Sequence, residues 1–290
     1  MLTRRRFLAI AACAAATPAF ADNVHEWTGQ AMGASARVAL RGCDDRQAHR
    51  LFRKVESVLR QVEGHFSLHR ESELTRLNRD GRLTHPDRSI VALFNVAGAV
   101  HGATGGAFDP SVQPLWLATA LDGDIAGARE SVGWARVRVS ADEISLDPGM
   151  ALTFNGIAQG HAADRVADLM RQNGFTDVLI DMGEIMGLGQ RPGGGGWRAA
   201  INMVDGRTVA HATLSNRALA TSSPRGTLIG GGKAHIVSPT GSAPLWQLAS
   251  VSASSAALAD ALSTAFCLME RPAIARALAA FPEATLESLI

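Results

Sequence analysis

The most constraining feature of the sequence is a series of short alternating apolar runs that begins at residue 178. Too few residues separate most of these runs for a helical crossover, so we expect neighbouring strands to pair antiparallel. Gly193–Gly196 reads as a flexible hairpin loop, since it precedes a strand and lacks the Lys-Ser/Thr ending of a phosphate loop. The predicted strands cover 178–182, 197–202, 208–214, 234–237 and 248–251.

Helical periodicity dominates the earlier part of the chain. The clearest helix is predicted over 44–63, where Asp44 or Asp45 can cap the start and Gly64 can end it. Further helices are predicted over 88–102, 160–173 and 254–269, and Pro272 can begin another. With antiparallel strands, these helices give an α+β class.

The first 21 residues have the pattern of a cleavable export signal, which we set apart from the fold. A basic start is followed by a short apolar stretch and by small residues at Ala19 and Ala21, so cleavage is predicted after Ala21. The pair Arg4-Arg5 before Phe7-Leu8 favours the twin-arginine route over an ordinary secretory signal, and the periplasm as destination. Residues 22–290 are predicted to form one domain.

Charge and cysteine usage exclude several classes of function. Removing the signal lowers Lys+Arg from 28 to 25 against 27 Asp+Glu, so no basic surface for nucleic acid is indicated. Cys43 and Cys267 lack zinc-like spacing, and Cys267 is predicted to be a packed free thiol in an apolar helix. Neither HExxH nor GxSxG occurs, which leaves a zinc hydrolase or a serine hydrolase unsupported.

The last long helix carries the most informative local pattern. Asp260 is its single charged residue between Ser252 and Met269, and Thr264 lies four residues further on the same side among small residues. A buried carboxylate of this kind needs a compensating partner, and a hard cation suits oxygen ligands. A capping or core hydrogen bond is the alternative.

Two loop segments contain polar groups that could bind a ligand, but their patterns are less specific than that of the last long helix. Residues 102–116 follow a helix with glycines, an aromatic face at Phe108 and an acceptor at Asp109. Residues 153–164 lead into a helix whose first amides can bind phosphate, and the carbonyl of Gly156 can reach a cation. Ordinary loop-to-helix turns explain either segment alone.

Taken in order, the motifs resemble the ApbE family of FAD:protein FMN transferases across nearly the whole mature chain. They are Met32-Gly33, residues 66–74 with Leu77-Asn78, 104–110, 155–160 with Asp164, 181–185, 220–222, His235-Ile236 and 260–264.

The resemblance implies an α+β fold with two T-fold-like halves, antiparallel sheets and packed helices around an FAD cleft. It implies a flavin site lined by Met32, His69, Ala107, Phe108, Asp109, Thr153, Gln159 and Ile236. It also implies a Mg²⁺ site formed by the Gly156 carbonyl, Asp260 and Thr264.

The activity implied is Mg²⁺-dependent transfer of the FMN moiety of FAD to a Ser or Thr hydroxyl of a target redox flavoprotein, with release of AMP. The target is expected to be periplasmic or membrane-bound. His235 is the candidate for assisting the hydroxyl, and a structural hydrogen bond is its alternative role. An FAD pyrophosphatase and a non-catalytic flavin-binding or delivery protein are the competing functions.

The chain departs from many relatives at several positions of these motifs. Thr153, Gln159 and His161 stand where an acid, a lysine and a tyrosine are usual, and Glu184 replaces a glycine. Ser223-Pro224 replaces the customary glycine after Ser222. These departures concern the nucleotide contacts.

Overall fold

The computed structural model describes residues 24–290, and the predicted export signal lies outside them. The helices of this part are α1 (Asp45–Phe66), α2 (Glu73–Asp80), α3 (Arg88–Ala103), α4 (Gln113–Leu121), α5 (Ile125–Glu130), α6 (Ala158–Gln172), α7 (Ala256–Phe266) and α8 (Arg271–Ala279). The strands are β1 (Val24–Ala31), β2 (Ala34–Arg41), β3 (Arg82–Thr84), β4 (Arg138–Val139), β5 (Glu143–Ser145), β6 (Val178–Asp181), β7 (Ile185–Leu188), β8 (Trp197–Asn202), β9 (Thr208–Leu214), β10 (Arg217–Ser222), β11 (Leu228–Ile229), β12 (Lys233–Ala234), β13 (Ala249–Ala253) and β14 (Thr285–Leu289).

A seven-stranded sheet in the order β1-β2-β6-β7-β10-β13-β14 forms the centre of the fold. Its neighbouring strands pair antiparallel, which confirms the α+β class and the strand direction expected from the short connections. Smaller sheets are β3-β5-β4, β8-β9 and β11-β12. None of the helices within residues 24–290 has the length and apolar character that crossing a membrane requires.

The two faces of the central sheet pack against different partners because side chains alternate along each strand. Val178 and Ile180 of β6 join the large core that α1, α3, α6 and α7 cover, whereas Leu179 between them joins a second core. That second core includes Trp197 and Leu214 of the β8-β9 ribbon. Helices therefore lie on one face of the sheet and the ribbon on the other.

Helix α1 begins as predicted but continues past Gly64. Asp44 caps its start by accepting a hydrogen bond from the Gln47 amide, and the helix ends at Phe66. The prediction that Gly64 ends it was wrong, because His65 and Phe66 are both buried in the core. Their burial outweighs the cost of about 1 kcal/mol of one glycine in a helix.

The strand predicted over 234–237 is shorter than expected. Only Lys233 and Ala234 pair, with β11, because the His235 amide donates 3.0 Å to the Pro224 carbonyl. Among the described residues Cys43 and Cys267 are free thiols, and Cys267 is buried as predicted. A turn lies before β8, since the Arg191 amide donates to the Gly195 carbonyl across it. The prediction of a hairpin loop was wrong, because β7 and β8 lie in different sheets.

Candidate metal and flavin site

The site is organised by a close crossing of α6 and α7 at Gly160. A Cβ on Gly160 would lie 2.3 Å from the carbonyl oxygen of Ala256, so a larger residue would force the helices apart. Because the two helices approach this closely, the Gly160 amide donates a 3.1 Å hydrogen bond to Oδ2 of Asp260. The carboxylate thus lies at the positive N-terminal end of α6.

A reciprocal contact fixes the start of α7. The carboxylate of Asp164 on α6 accepts hydrogen bonds of 2.7 Å from Ser255 Oγ, 2.7 Å from the Ala256 amide and 3.0 Å from the Ala257 amide. Each helix therefore contributes a carboxylate to the first turn of the other, which fixes the position of Asp260 along α7.

Asp260 lies in a buried, acidic environment. Its pKa is raised to about 7, mainly by burial and to a smaller extent by the nearby Asp164, while the hydrogen bond from Gly160 opposes the rise. Glu184 is also buried, and its pKa is raised well above the usual range, first by burial and then by Asp260 and Asp181. Within residues 24–290, neither Asp260 nor Glu184 makes an ion pair with a lysine or arginine.

Thr264 lies next to the loop that precedes α6. A Cβ on Gly156 would lie 3.1 Å from Thr264 Oγ1 and 3.5 Å from the ring of Phe108, so a side chain there would fit only if Thr264 shifted slightly. On its other side Thr264 Oγ1 lies 3.3 Å from Ser222 Oγ, which is 2.8 Å from Ser263 Oγ. Two of the three predicted metal ligands, Gly156 and Thr264, are therefore in contact, with Asp260 one turn earlier on the same helix.

This set of oxygens fits a hard cation. Asp260 Oδ2 makes the predicted alternative capping bond, but no hydrogen bond to Oδ1 is found in the part of the chain that the structure describes. No three His, Cys, Asp or Glu side chains of residues 24–290 converge into a metal-binding group. A cation at this site would therefore be bound by a carboxylate, a hydroxyl and a carbonyl, which leaves positions for the oxygens of a substrate.

The aromatic side of the site is formed by Phe108 and the residues after it. Phe108 is buried beside Gly156, and its carbonyl lies 2.9 Å from His101 Nδ1. Asp109 Oδ1 accepts 2.8 Å from the Ser111 amide and caps the short 3-10 turn Pro110–Val112. The Thr153 amide donates to the Pro110 carbonyl at 2.8 Å, so the two predicted loop segments lie side by side.

Gln159 links the start of α6 to the β6-β7 hairpin. A Cβ on Gly183 would lie 2.9 Å from Gln159 Nε2 and 3.4 Å from Ala34 Cβ, directly after the β1-β2 turn. Met32 in that turn has a left-handed backbone, with φ of 49°. Met32 and Gln159 are thus brought to one region, while Ala107 and Ile236 pack on the large core and His69 is exposed after α1.

His235 is held in a defined orientation. Its Nδ1 lies 3.0 Å from the Pro224 carbonyl and 3.2 Å from the Thr227 carbonyl, and its own carbonyl accepts 2.9 Å from Trp116 Nε1. Burial lowers its pKa, and the two carbonyls oppose that change. Because a carbonyl only accepts, Nδ1 must carry the proton, and Nε2 of the neutral ring is the acceptor.

Three contacts of the site were not predicted from the sequence. Ser222 bonds to the Thr264 hydroxyl, Asp164 caps α7, and Glu184 is buried near Asp260. Asn78 also links α2 to Leu152, with bonds of 2.9 and 2.7 Å to its backbone. The available signal for Asp164 was its place in the motif 155–160 with Asp164, but nothing local distinguishes Ser222.

Known structures share this architecture. Pseudomonas stutzeri flavinyl transferase ApbE in its apo form is similar at a TM-score of 0.77 and 26% identity, over 90% of this chain and 89% of that one. The flavin transferase ApbE from Vibrio cholerae is similar at 0.75 and 25%, over 89% and 91%. An ApbE protein from Thermotoga maritima reaches 0.81 at 21% identity, over 92% and 96%, and shows the fold alone.

Curated sequences give a consistent result. The FAD:protein FMN transferase of Salmonella typhimurium is 26% identical over 193 residues, which are 60% of this chain and 55% of that protein. The Klebsiella pneumoniae protein of the same name is 28% identical over the same shares. The chain thus spans about half the length of these curated relatives. Because the ApbE family model matches residues 32–289, the chain belongs to the ApbE family.

Proposed function

We propose that the protein transfers the FMN moiety of FAD to a Ser or Thr hydroxyl of a target flavoprotein and releases AMP. The observation that carries the proposal is the oxygen set of Asp260, Thr264 and Gly156 beside the buried ring of Phe108. Relatives named FAD:protein FMN transferase support the same reaction. The reaction requires a target protein as the acceptor of the FMN moiety.

The residues present would hold Mg²⁺ through the Asp260 carboxylate, the Thr264 hydroxyl and the Gly156 carbonyl. Bound there, Mg²⁺ would neutralise charge on the pyrophosphate oxygens of FAD. Asp260 is positioned for this by the Gly160 amide, and Thr264 by the Ser222 hydroxyl. Phe108 offers the flavin or the adenine an apolar face.

His235 is proposed to take the proton of the attacking hydroxyl. Its protonated Nδ1 is bound to two carbonyls, so the neutral ring presents Nε2 as the base. The acceptor oxygen then bonds to the phosphorus on the FMN side, and the bond from that phosphorus to the oxygen of the AMP phosphate breaks. The histidine later returns the proton to solvent.

We further propose that the protein works in the periplasm after twin-arginine export and cleavage after Ala21. The basic start and the small residues before residue 22 support this assignment. A folded chain crossing the membrane would keep the α6-α7 crossing intact during export. Mass spectrometry of the periplasmic protein tests it, because a mature N-terminus at residue 22 is expected.

The decisive experiment combines the purified protein with FAD, Mg²⁺ and an acceptor flavoprotein, and records the intact mass of the acceptor. A gain equal to FMN minus water, lost when the metal is chelated, is the expected result. Free FMN and AMP with an unchanged acceptor would instead favour a pyrophosphatase. FAD that binds but stays intact would favour a flavin-delivery protein.

A further inference from the structure

A cavity lies beside the first turns of α1, at the opposite end of that helix from Phe66. It has a volume of ≈ 790 Å³ and is formed by the β2-α1 junction, the first turns of α1, the loop after α6 and the loop between β7 and β8. None of its lining residues belongs to the metal or flavin site. Arg50 on its wall precedes Phe66 by 16 residues, or about 24 Å along the helix axis.

The lining of this basic cavity is strongly cationic. Arg41, Arg50, Lys54 and Arg191 line it, and Asp177 is the carboxylate among its lining residues. Asp177 Oδ1 already accepts a 2.7 Å hydrogen bond from the Gln190 amide, which holds the β7-β8 loop. Arg50, Lys54 and Arg191 outnumber this one carboxylate, which is already bonded to the backbone, so positive charge is in excess.

Three of these cations, Arg50, Lys54 and Arg191, also retain unused donors. Lys54 Nζ donates 2.9 Å to Asn173 Oδ1, which uses one of its three protons. Arg50 and Arg191 make no ion pair within the part of the chain that is described. A ligand that accepts several charged hydrogen bonds would relieve the repulsion among these groups.

The shape and chemistry of the lining favour phosphate over an apolar ligand. Glycines at positions 42, 174 and 193 form part of the rim and have left-handed φ angles of 74, 82 and 82°. Because these glycines have no side chains, they leave the rim open, and a ligand can reach the arginines. Planar guanidinium groups match the oxygens of a phosphate, and the volume lies in the range of about 300–1,000 Å³ usual for small-ligand sites.

We propose that this basic cavity binds a phosphate-bearing anion at a site separate from the flavin site. A soluble phosphate compound and the headgroup of a phospholipid share this chemistry. Binding there would place a soluble regulator, or a membrane surface, about 24 Å from Phe66 along the axis of α1. The proposal stands independently of the transferase activity.

The test compares the wild-type protein with the double variant Arg50→Ala, Arg191→Ala and with the matched control Arg53→Ala. Arg53 is exposed on the same helix but does not line the cavity. Pyrophosphate binding is measured by calorimetry with metal chelated, and vesicles of equal parts phosphatidylglycerol and phosphatidylcholine are tested by co-sedimentation. FAD affinity, measured by fluorescence, confirms that each variant is folded and keeps its flavin site.

We expect the double variant to weaken binding of one probe by about tenfold or more, while the control and FAD affinity stay unchanged. Loss of the pyrophosphate component assigns a soluble ligand, and loss of vesicle binding assigns a headgroup. Equal binding in the double variant and wild type, equal loss in Arg53→Ala, or no binding of either probe by wild type would overturn the proposal.

Discussion

Helix α6 buries carboxylates on its face toward α7 and a histidine on its face toward α1. On the face toward α7, Gly160 and Asp164 meet Asp260 and the α7 N-terminus, and burial raises the pKa of Asp260 to about 7. On the face toward α1, His161 packs edge-on against Phe66, with ring centroids 5.8 Å apart. The pKa of His161 is lowered to about 4, mainly by burial and to a smaller extent by Arg165 and His65.

The two faces respond to pH in opposite directions. Folded Asp260 holds a proton that the unfolded chain releases, so stability without metal falls as pH rises from 3.8 to about 7. Folded His161 lacks a proton that the unfolded chain binds, so stability falls as pH drops from 6.5 to about 4. A bound cation can offset the loss of stability at Asp260 but not the loss at His161. The face with Asp260 is therefore suited to binding a cation, whereas the face with His161 is suited to packing.

The largest expected effect is that of Asp260→Asn. Asparagine still accepts the Gly160 hydrogen bond but supplies no charge to a cation, so transfer should fall on the order of a hundredfold or more. Calorimetry should show loss of Mg²⁺ binding. In chelator above pH 7 the variant should be more stable than wild type in urea. Wild-type Mg²⁺ affinity in the variant would remove Asp260 from the metal site.

The opposite face is tested by His161→Phe. Nε2 of His161 is buried without a hydrogen-bond partner, so phenylalanine should keep the packing and lose no bond at that atom. Near pH 4 the variant should gain about 3 kcal/mol relative to wild type, and little at pH 8. Urea unfolding at both values measures this. His49→Gln, at an exposed site on α1, serves as control and should leave the acid slope unchanged.

Asp164→Ala should weaken the link between α6 and α7. Three donors at the start of α7 lose their acceptor, which should cost about 2 kcal/mol in urea unfolding. Mg²⁺ affinity should fall as well, because Asp260 is then less well positioned. Asp168→Ala is the matched control, one turn later on α6 and paired only with Arg171. Equal losses in both variants would contradict the capping role.

Glu184→Gln should give the smallest effect. Glutamine can keep the hydrogen bond from the Thr221 amide while removing the charge beside Asp260. In chelator at pH 8 we expect a gain of about 1 kcal/mol. The gain should shrink in the Asp260→Asn background, and a double-mutant cycle measures the coupling. Strict additivity would show that the two carboxyl groups act independently.

Local patterns predicted the longer helices and several strands, but β1, β2 and β10 of the central sheet were not predicted. Alternation predicted the strands 197–202 and 208–214 at their observed bounds, and helical periodicity predicted α3, α6 and α7 within three residues at each end. The errors came where tertiary contacts overrode local preference, as at Gly64 before the buried Phe66. At His235, bonds to the 224–227 loop replaced the expected strand.

The site was partly predictable for a similar reason. A lone carboxylate at Asp260 and a hydroxyl at Thr264 are visible on one helix, and the structure places Gly156 beside Thr264. That these residues bind a metal stays a prediction. The roles of Ser222, Asp164 and Glu184 depend on residues 41 to 93 positions away in sequence or on other strands. No local period encodes such distances.

The sequence by itself determined the α+β class, the antiparallel pairing and the longer helices, because these follow from side-chain period and connection length. The tertiary structure decided which groups are charged and which oxygens meet. Burial sets the pKa values of Asp260 and His161, and the close α6-α7 crossing sets the hydrogen bonds of Asp260. Both depend on how distant segments exclude water, which no single segment specifies.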